Sequence, residues 1–239
     1  MRAALVRRWI RLTHRGRGVQ CPCCEREYAC FAADWNRPNA ICPGCGSHER
    51  HRALWLYCQG LLAAVDGPFD LLHFAPEYAL RERIEALSST RYVTVDLDGE
   101  GVDVAADITD MPFGDASFDG ILCSHVLEHV HDDRAAMAEL CRLLRPEGWA
   151  AVLVPLDLNR TETYEDPAIV TPEQRERAYW QEDHMRLYAL DIADRLQEAG
   201  LEVETVRVAE TLPAVAVRRH GLLPEEVIFR CTRLPLAST

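Results

Sequence analysis

Apolar positions along this chain keep two different periods, and the switches between them predict its elements. Leu5, Val6, Trp9, Ile10 and Thr13 recur at helical spacing between arginines, so residues 1–20 read as a short basic amphipathic helix. Residues 21–50 have no sustained period, and a run of that kind needs a staple to hold a shape. From Arg50 a helical stripe of Leu54, Leu56, Tyr57, Leu61, Leu62 and Val65 runs to Gly67-Pro68. Strand-like and helix-like segments then alternate: strand 69–74, helix 76–87, strand 91–95, strands at 102–106 and 118–123, helix 132–144 and strand 148–154. Residues 155–183 are polar, proline-bearing and non-periodic, which marks a loop or lid over a substrate, reaching to about 188. Helix 187–199, strand 201–208 and strand 227–231 close the pattern. Such alternation predicts an α/β doubly wound parallel sheet. The expected organisation is a basic helix over 1–20, a small module over 21–50, and the sheet domain over 51–239.

Charge narrows the partners. The net charge is −12, and residues 1–20 hold six arginines and no acid, so the remainder is more acidic still. An acidic body repels phosphate backbones, which disfavours nucleic acid as the main partner. No apolar run approaches the roughly 18 residues of a membrane span. Met1–Gln20 is basic and lacks the continuous apolar stretch of an export signal, so the expected location is the cytoplasm. In a reducing compartment, clustered cysteines point to metal rather than disulfides.

Six of the ten cysteines fall in residues 21–50. Cys21-x2-Cys24 and Cys42-x2-Cys45 are two knuckles 17 residues apart. Each knuckle places two thiolates on one turn, and two knuckles complete a zinc tetrahedron with no open position. The expected ion is therefore a structural Zn2+, in preference to a catalytic zinc or a redox pair. Cys23, next to Cys24, is expected to point away from it.

Doubly wound sheets bind ligands at the carboxyl ends of their strands. Asp96, ending the second sheet strand, is placed to accept both hydroxyls of a ribose, with Asp98 as the fallback. Asp107, after the third, can accept from an adenine amino group, with the Ile108 side chain against the ring. Ser124 and His125 follow the fourth.

These strand ends carry a resemblance. Asp107-Ile108-Thr109-Asp110-Met111-Pro112-Phe113, continuing through Ser117-Phe118-Asp119, resembles the D-x-x-x-L-P-F-x-x-x-S-F-D stretch of class I S-adenosylmethionine-dependent methyltransferases of the type 11 kind. His125-Val126-Leu127-Glu128-His129 is similar to their H-V-L-E-H, and Leu144-Arg145-Pro146-Glu147-Gly148 to their L-R-P-G-G turn. The resemblance covers about residues 68–232. With the segment Cys42 to Arg52, His73-Phe74-Ala75-Pro76-Glu77 resembles a subgroup bearing an N-terminal zinc-binding module. It implies a Rossmann-like seven-stranded sheet and S-adenosylmethionine as cofactor, held by His73, Phe74, Ala75, Glu77, Asp96, Asp107, Ile108 and Ser124. One departure is plain: the family's first loop reads acid-x-G-x-G-x-G, whereas this loop has no glycine and His73 in place of the acid.

No N/D-P-P-Y motif and no Pro-Cys pair follows the fourth strand, which disfavours adenine, amide and cytosine carbon-5 acceptors. The expected activity is methyl transfer to a small-molecule acceptor by in-line displacement. His184, Tyr164 and His125 are the expected acid–base residues, and Arg186, Tyr164 and His129 the expected acceptor-binding ones. The alternatives are RNA methylation with the zinc module as the gripping surface, aminocarboxypropyl transfer or cyclisation on the same cofactor, and a cofactor-binding protein without turnover.

Overall fold

The computed structural model describes residues 13–34 and 37–233, so most of the helix expected over 1–20 lies outside the described residues. In chain order the elements are β1 (Val19–Gln20), β2 (Glu27–Tyr28), β3 (Ala32–Asp34), β4 (Arg37–Ile41), α1 (Glu49–Ala63), β5 (Phe69–Phe74), α2 (Tyr78–Glu85), β6 (Thr90–Asp96) and β7 (Val104–Ala105). There follow β8 (Phe118–Ser124), α3 (Asp133–Leu143), β9 (Leu144–Leu153), α4 (Pro172–Tyr179), α5 (Ile192–Glu198), β10 (Leu201–Val206), α6 (Ala214–His220) and β11 (Ile228–Arg233). None of the described helices is long and apolar enough to cross a membrane.

The chain divides into two compact units, and the division is not the expected one at residue 50. The first unit joins residues up to Gly67 with Glu77–Ser88 and Arg207–Ile228. The second holds Pro68–Pro76, Ser89–Val206 and the stretch from Phe229 onward.

In the first unit, the segment read as non-periodic forms two small antiparallel hairpins, β1–β2 and β3–β4. Arg52 of α1 is fully buried here, which an arginine tolerates only when its donors are satisfied. They are: Nε donates to the His220 carbonyl at 2.7 Å, Nη1 to Ala40 and Ser47 at 2.9 and 2.8 Å, and Nη2 to Gly221 at 2.8 Å. The guanidinium also lies 4.0 Å from the centre of the Phe31 ring. Gly221 ends α6 at φ +58°, and a Cβ there would stand 2.7 Å from that ring, so glycine is required twice over.

The second unit is the sheet, in the order β10-β11-β9-β8-β5-β6-β7. The pairs β5–β6, β5–β8, β6–β7 and β8–β9 are parallel, and β11 runs antiparallel to β9. The expected seven-stranded α/β sheet is therefore present. β8 is buried at every position but Asp119, the near-continuous apolar run of a strand covered on both faces. At the amino ends of the strands, Asp70 and Asp119 share Arg145, with nitrogen–oxygen distances of 2.7 and 2.6 Å. At the opposite ends the chain leaves β5, β6, β7 and β8 through the loops that carry the candidate chemistry.

Candidate active site and thiolate centre

The thiolate centre is built by two turns of one design. Cys21 N–H donates to the Arg26 carbonyl and Glu25 N–H to the Cys21 carbonyl, at 3.0 and 2.7 Å. Cys42 N–H donates to Ser47 and Gly46 N–H to Cys42, at 2.9 and 3.0 Å. The two turns aim their sulfurs together: Cys21 Sγ is 3.6 Å from Cys45 Sγ, and Cys24 Sγ is 3.7 Å from Cys42 Sγ. All four sulfurs lie within 4.8 Å of one another. A zinc ion with bonds of about 2.3 Å sets the edges of its sulfur tetrahedron near 3.8 Å, so the cluster has the size of a zinc site. Neighbouring thiols drive the Cys42 thiol far up, as expected of sulfurs that cannot all ionise without a cation among them. A Cβ on Gly44 would fall 2.2 Å from Tyr28 Oη, which accounts for glycine in the second knuckle. Cys23 turns away toward the His51 carbonyl at 3.7 Å, and Cys30 is exposed.

In the second unit a cleft of about 520 Å3 opens at the carboxyl ends of the strands. Its walls include Phe74 and Ala75 after β5, Asp96 and Leu97 after β6, Asp107, Ile108 and Thr109 after β7, and His125, His129 and Asp132 after β8. The first loop turns without glycine because Ala75 itself takes φ +46°, with its N–H bonded to the Val95 carbonyl at 2.8 Å. Asp107 closes its own turn, Oδ1 accepting from Thr109 N–H at 2.9 Å and from its hydroxyl at 2.8 Å. The loop that follows is held by Arg142 of α3, which donates to the Met111 and Phe113 carbonyls at 3.2 and 2.8 Å. His125 leaves β8 at φ +55°, its N–H bonded to the Leu153 carbonyl at 2.9 Å.

Seven of the expected site residues line this cleft: Phe74, Ala75, Asp96, Asp107, Ile108, His125 and His129. Others lie elsewhere. His73 is fully buried in β5 with Nδ1 2.7 Å from Tyr92 Oη, because strand alternation turns it away from the loop. Glu77 precedes α2 in the first unit, its carboxylate 3.7 Å from His51 Nε2. Ser124 is buried within β8 and does not line the cleft. Tyr164 is bridged to Leu187, packs edge-on against Tyr179 and lies under Arg160.

Arg186 departs furthest from its expected role. Its side chain is 1% exposed, and it donates to the carbonyls of Leu127, Val130 and His131 and to the Glu165 carboxylate. The fork expected to grip an acceptor anion instead pins the loop after β8. His184 is also buried, but it stands beside the cleft wall, its ring edge-on to His129 with centroids 4.8 Å apart. Burial holds its imidazole below the usual histidine range. Glu128, passed over in the sequence because it lies inside a motif read only as a resemblance, is 1% exposed and sits among these histidines.

Comparison with known proteins agrees with this geometry. Residues 41–152 match the family described as "Methyltransferase domain". An O-methyltransferase of Pyrenophora dematioidea is 28% identical over 134 residues, covering 49% of this chain and 50% of that protein. The match thus spans half of that relative's length. Among solved structures, the Burkholderia thailandensis 1,6-didemethyltoxoflavin-N1-methyltransferase, with 1,6-didemethyltoxoflavin and S-adenosylhomocysteine bound, aligns at a TM-score of 0.51 and 18% identity. That alignment covers 77% of this chain and 79% of the other. A chain from a Haloferax volcanii complex with the Trm112 methyltransferase activator aligns at 0.52 and 17%, covering 76% and 90%. At these identities the structural likeness establishes the fold alone.

Proposed function

Because residues 41–152 match a methyltransferase domain family and the strand-end loops meet at one cleft, we propose that this chain is a class I S-adenosylmethionine-dependent methyltransferase, transferring the cofactor's methyl group to a small-molecule acceptor beside Asp96 and Asp107. The observation that carries this reading is the convergence of four strand-end loops on one cleft whose size falls in the small-molecule range of about 300–1,000 Å3. The residues fit the cofactor: Asp96 suits a ribose diol, Asp107 an adenine amine, and the Ile108 side chain an aromatic face. Ala75 takes the left-handed conformation of the first loop where glycine is usual, and its side chain is a single methyl group. When bound, the cofactor supplies an electrophilic methyl on a sulfonium.

The protein's part is alignment and exclusion of water. His125, on the cleft wall, would hold or take a proton from a hydroxyl or amine acceptor, with His129 beside it on the acceptor's side. The acidic body argues for a small molecule over RNA. Cys21, Cys24, Cys42 and Cys45 would hold a structural zinc, keeping the first unit's hairpins in place without entering the reaction.

The test is calorimetry with S-adenosylmethionine, followed by incubation with methyl-labelled cofactor and a panel of small hydroxyl and amine acceptors. The reading expects binding and conversion to S-adenosylhomocysteine. Release of methylthioadenosine, or no binding at all, would overturn it. Activity that appears only with RNA, and falls steeply as salt rises, would replace the acceptor class.

A further inference from the structure

Glu128 lies in the single helical turn Leu127–His129 that follows β8, where it is 1% exposed. Among the described residues neither of its carboxylate oxygens meets hydrogen-bond geometry, and its ion-pair contact is the imidazole of His125, whose Nδ1 stands 3.1 Å from Oε1. A buried carboxylate left in that state costs several kcal/mol, so something cationic is called for. Among the described residues no arginine pairs with it. Its neighbours are imidazoles.

Those imidazoles are oriented by acceptors on their far sides. His184 Nδ1 is 2.8 Å from the Tyr179 carbonyl oxygen, and since a carbonyl only accepts, Nδ1 carries the proton. Nε2 of His184 is then a lone-pair nitrogen. His129 Nδ1 is 3.1 Å from Asp183 Oδ2, which assigns its proton in the same way and leaves Nε2 as a second lone-pair nitrogen. Glu128, His129 and His184 each offer a ligand atom, and the three atoms lie within 4.8 Å of one another. His125 flanks the group, with Nδ1 3.1 Å from Glu128 Oε1. Histidines bound to metal commonly place their other ring N–H on such an acceptor, and here the Tyr179 carbonyl and the Asp183 carboxylate supply one to each ring.

We propose that Glu128, His129 and His184 bind one divalent transition-metal ion, distinct from the thiolate centre and reached from the cleft through His129. Two imidazole nitrogens and one carboxylate oxygen suit zinc, manganese or iron(II), and three protein ligands leave coordination positions open. His129 is part of the cleft wall, which puts the ion beside the space assigned to the acceptor. Resting on the methyltransferase reading, the ion would bind an acceptor oxygen and lower its pKa, so that a hydroxyl reaches the methyl group as an oxyanion. The favoured acceptor class is then one with a hydroxyl beside a second oxygen, able to chelate.

The experiment uses the full chain with its thiolate centre saturated by zinc and excess metal dialysed away. Mn2+ is titrated and free ion followed by electron paramagnetic resonance, with Zn2+ uptake measured in parallel. The proposal expects one Mn2+ or one additional Zn2+ per chain. Glu128→Gln, which keeps the side chain's shape, should weaken that affinity by roughly ten- to a hundredfold or more, and His184→Ala should do the same. Calorimetry on the same proteins should show S-adenosylmethionine binding unchanged. No uptake at millimolar metal, or uptake equal in the parent and in a folded Glu128→Gln, would overturn the site in favour of a proton shared among Glu128 and its histidines. Loss of cofactor binding in the parent, with metal uptake intact, would overturn the methyltransferase reading and leave the metal site standing.

Discussion

Glu25 and Gly46 occupy the same place in two equivalent turns: each donates its N–H to the carbonyl of the first cysteine of its knuckle, and each sits in the left-handed region, at φ +61° and +78°. Glycine takes that conformation freely, whereas a residue with a Cβ holds it at a cost of about 1–2 kcal/mol. The first knuckle therefore stores strain that the second does not.

Nothing stands within 4 Å of a Cβ built on Gly46, so Gly46→Ala reads conformational strain alone. It should destabilise the chain by about 1 kcal/mol, with the unfolded-state entropy of glycine offsetting part of the strain. Glu25→Gly should relieve the first turn by a similar amount, less the exposed ion pair with Arg83 that it gives up. Urea unfolding of both variants checks the pair. Equal and negligible shifts would show that the turns are not matched.

For the thiolate centre, metal analysis after dialysis should return a tightly held zinc that survives Glu128→Gln and is lost in Cys42→Ser. A stable, metal-free protein with unaltered unfolding would remove zinc from the structure.

Asp96→Ala should weaken S-adenosylmethionine binding by about 1–3 kcal/mol, the scale of hydrogen bonds to a charged acceptor. Asp107→Ala should cost less, since a single adenine contact is lost, although the Thr109 turn it closes will loosen too. Calorimetry measures both. Unchanged affinity in the two variants would move the cofactor off these strand ends.

Arg186→Met should act on stability rather than on the acceptor's KM. It removes a buried cation from three carbonyls and from Glu165, a loss of about 3–5 kcal/mol on the scale of broken buried pairs. A variant as stable as the parent with a sharply raised acceptor KM would restore the anion-binding role expected from sequence.

His48 gives a pH dependence. Burial, with Arg50 adding to it, pushes its imidazole down to about 4, against about 6.5 in an unfolded chain. Between those values the unfolded state takes up a proton that the folded state refuses, so stability present above about pH 6.5 should decline as pH falls toward 4. Asp34, 3.8 Å away, opposes the shift, whereas Arg37 and Arg52 reinforce it. His48→Gln should flatten that limb of the unfolding profile.

The sheet was legible because its signals are local. Apolar runs such as Ile121-Leu122-Cys123 announce covered strands, and the knuckles announce themselves by spacing. Two helices were missed although they carry punctuation. Thr171-Pro172-Glu173-Gln174 forms a capping box, with Gln174 N–H bonded to Thr171 Oγ1 at 3.3 Å, and α6 is flanked by Pro213 and Gly221. Both lack a strong apolar stripe, so the period on which the reading relied was silent. Arg186 misled for another reason. Its partners are backbone carbonyls some 55–59 residues away, and no property of the arginine itself distinguishes a cation that grips a ligand from one that grips its own loop.

The buried Arg52 also fixes an order of events as the chain is made. The cysteines of the thiolate centre span 24 residues and are all available early. The His220 and Gly221 carbonyls lie 168 and 169 residues beyond Arg52 and leave the ribosome roughly 10–30 s later, at about 5–20 residues per second. Through that interval the first unit has its cysteine ligands but lacks two of the four carbonyls that its central cation requires. Until His220 and Gly221 are made, Nε and Nη2 of Arg52 have no native carbonyl to donate to.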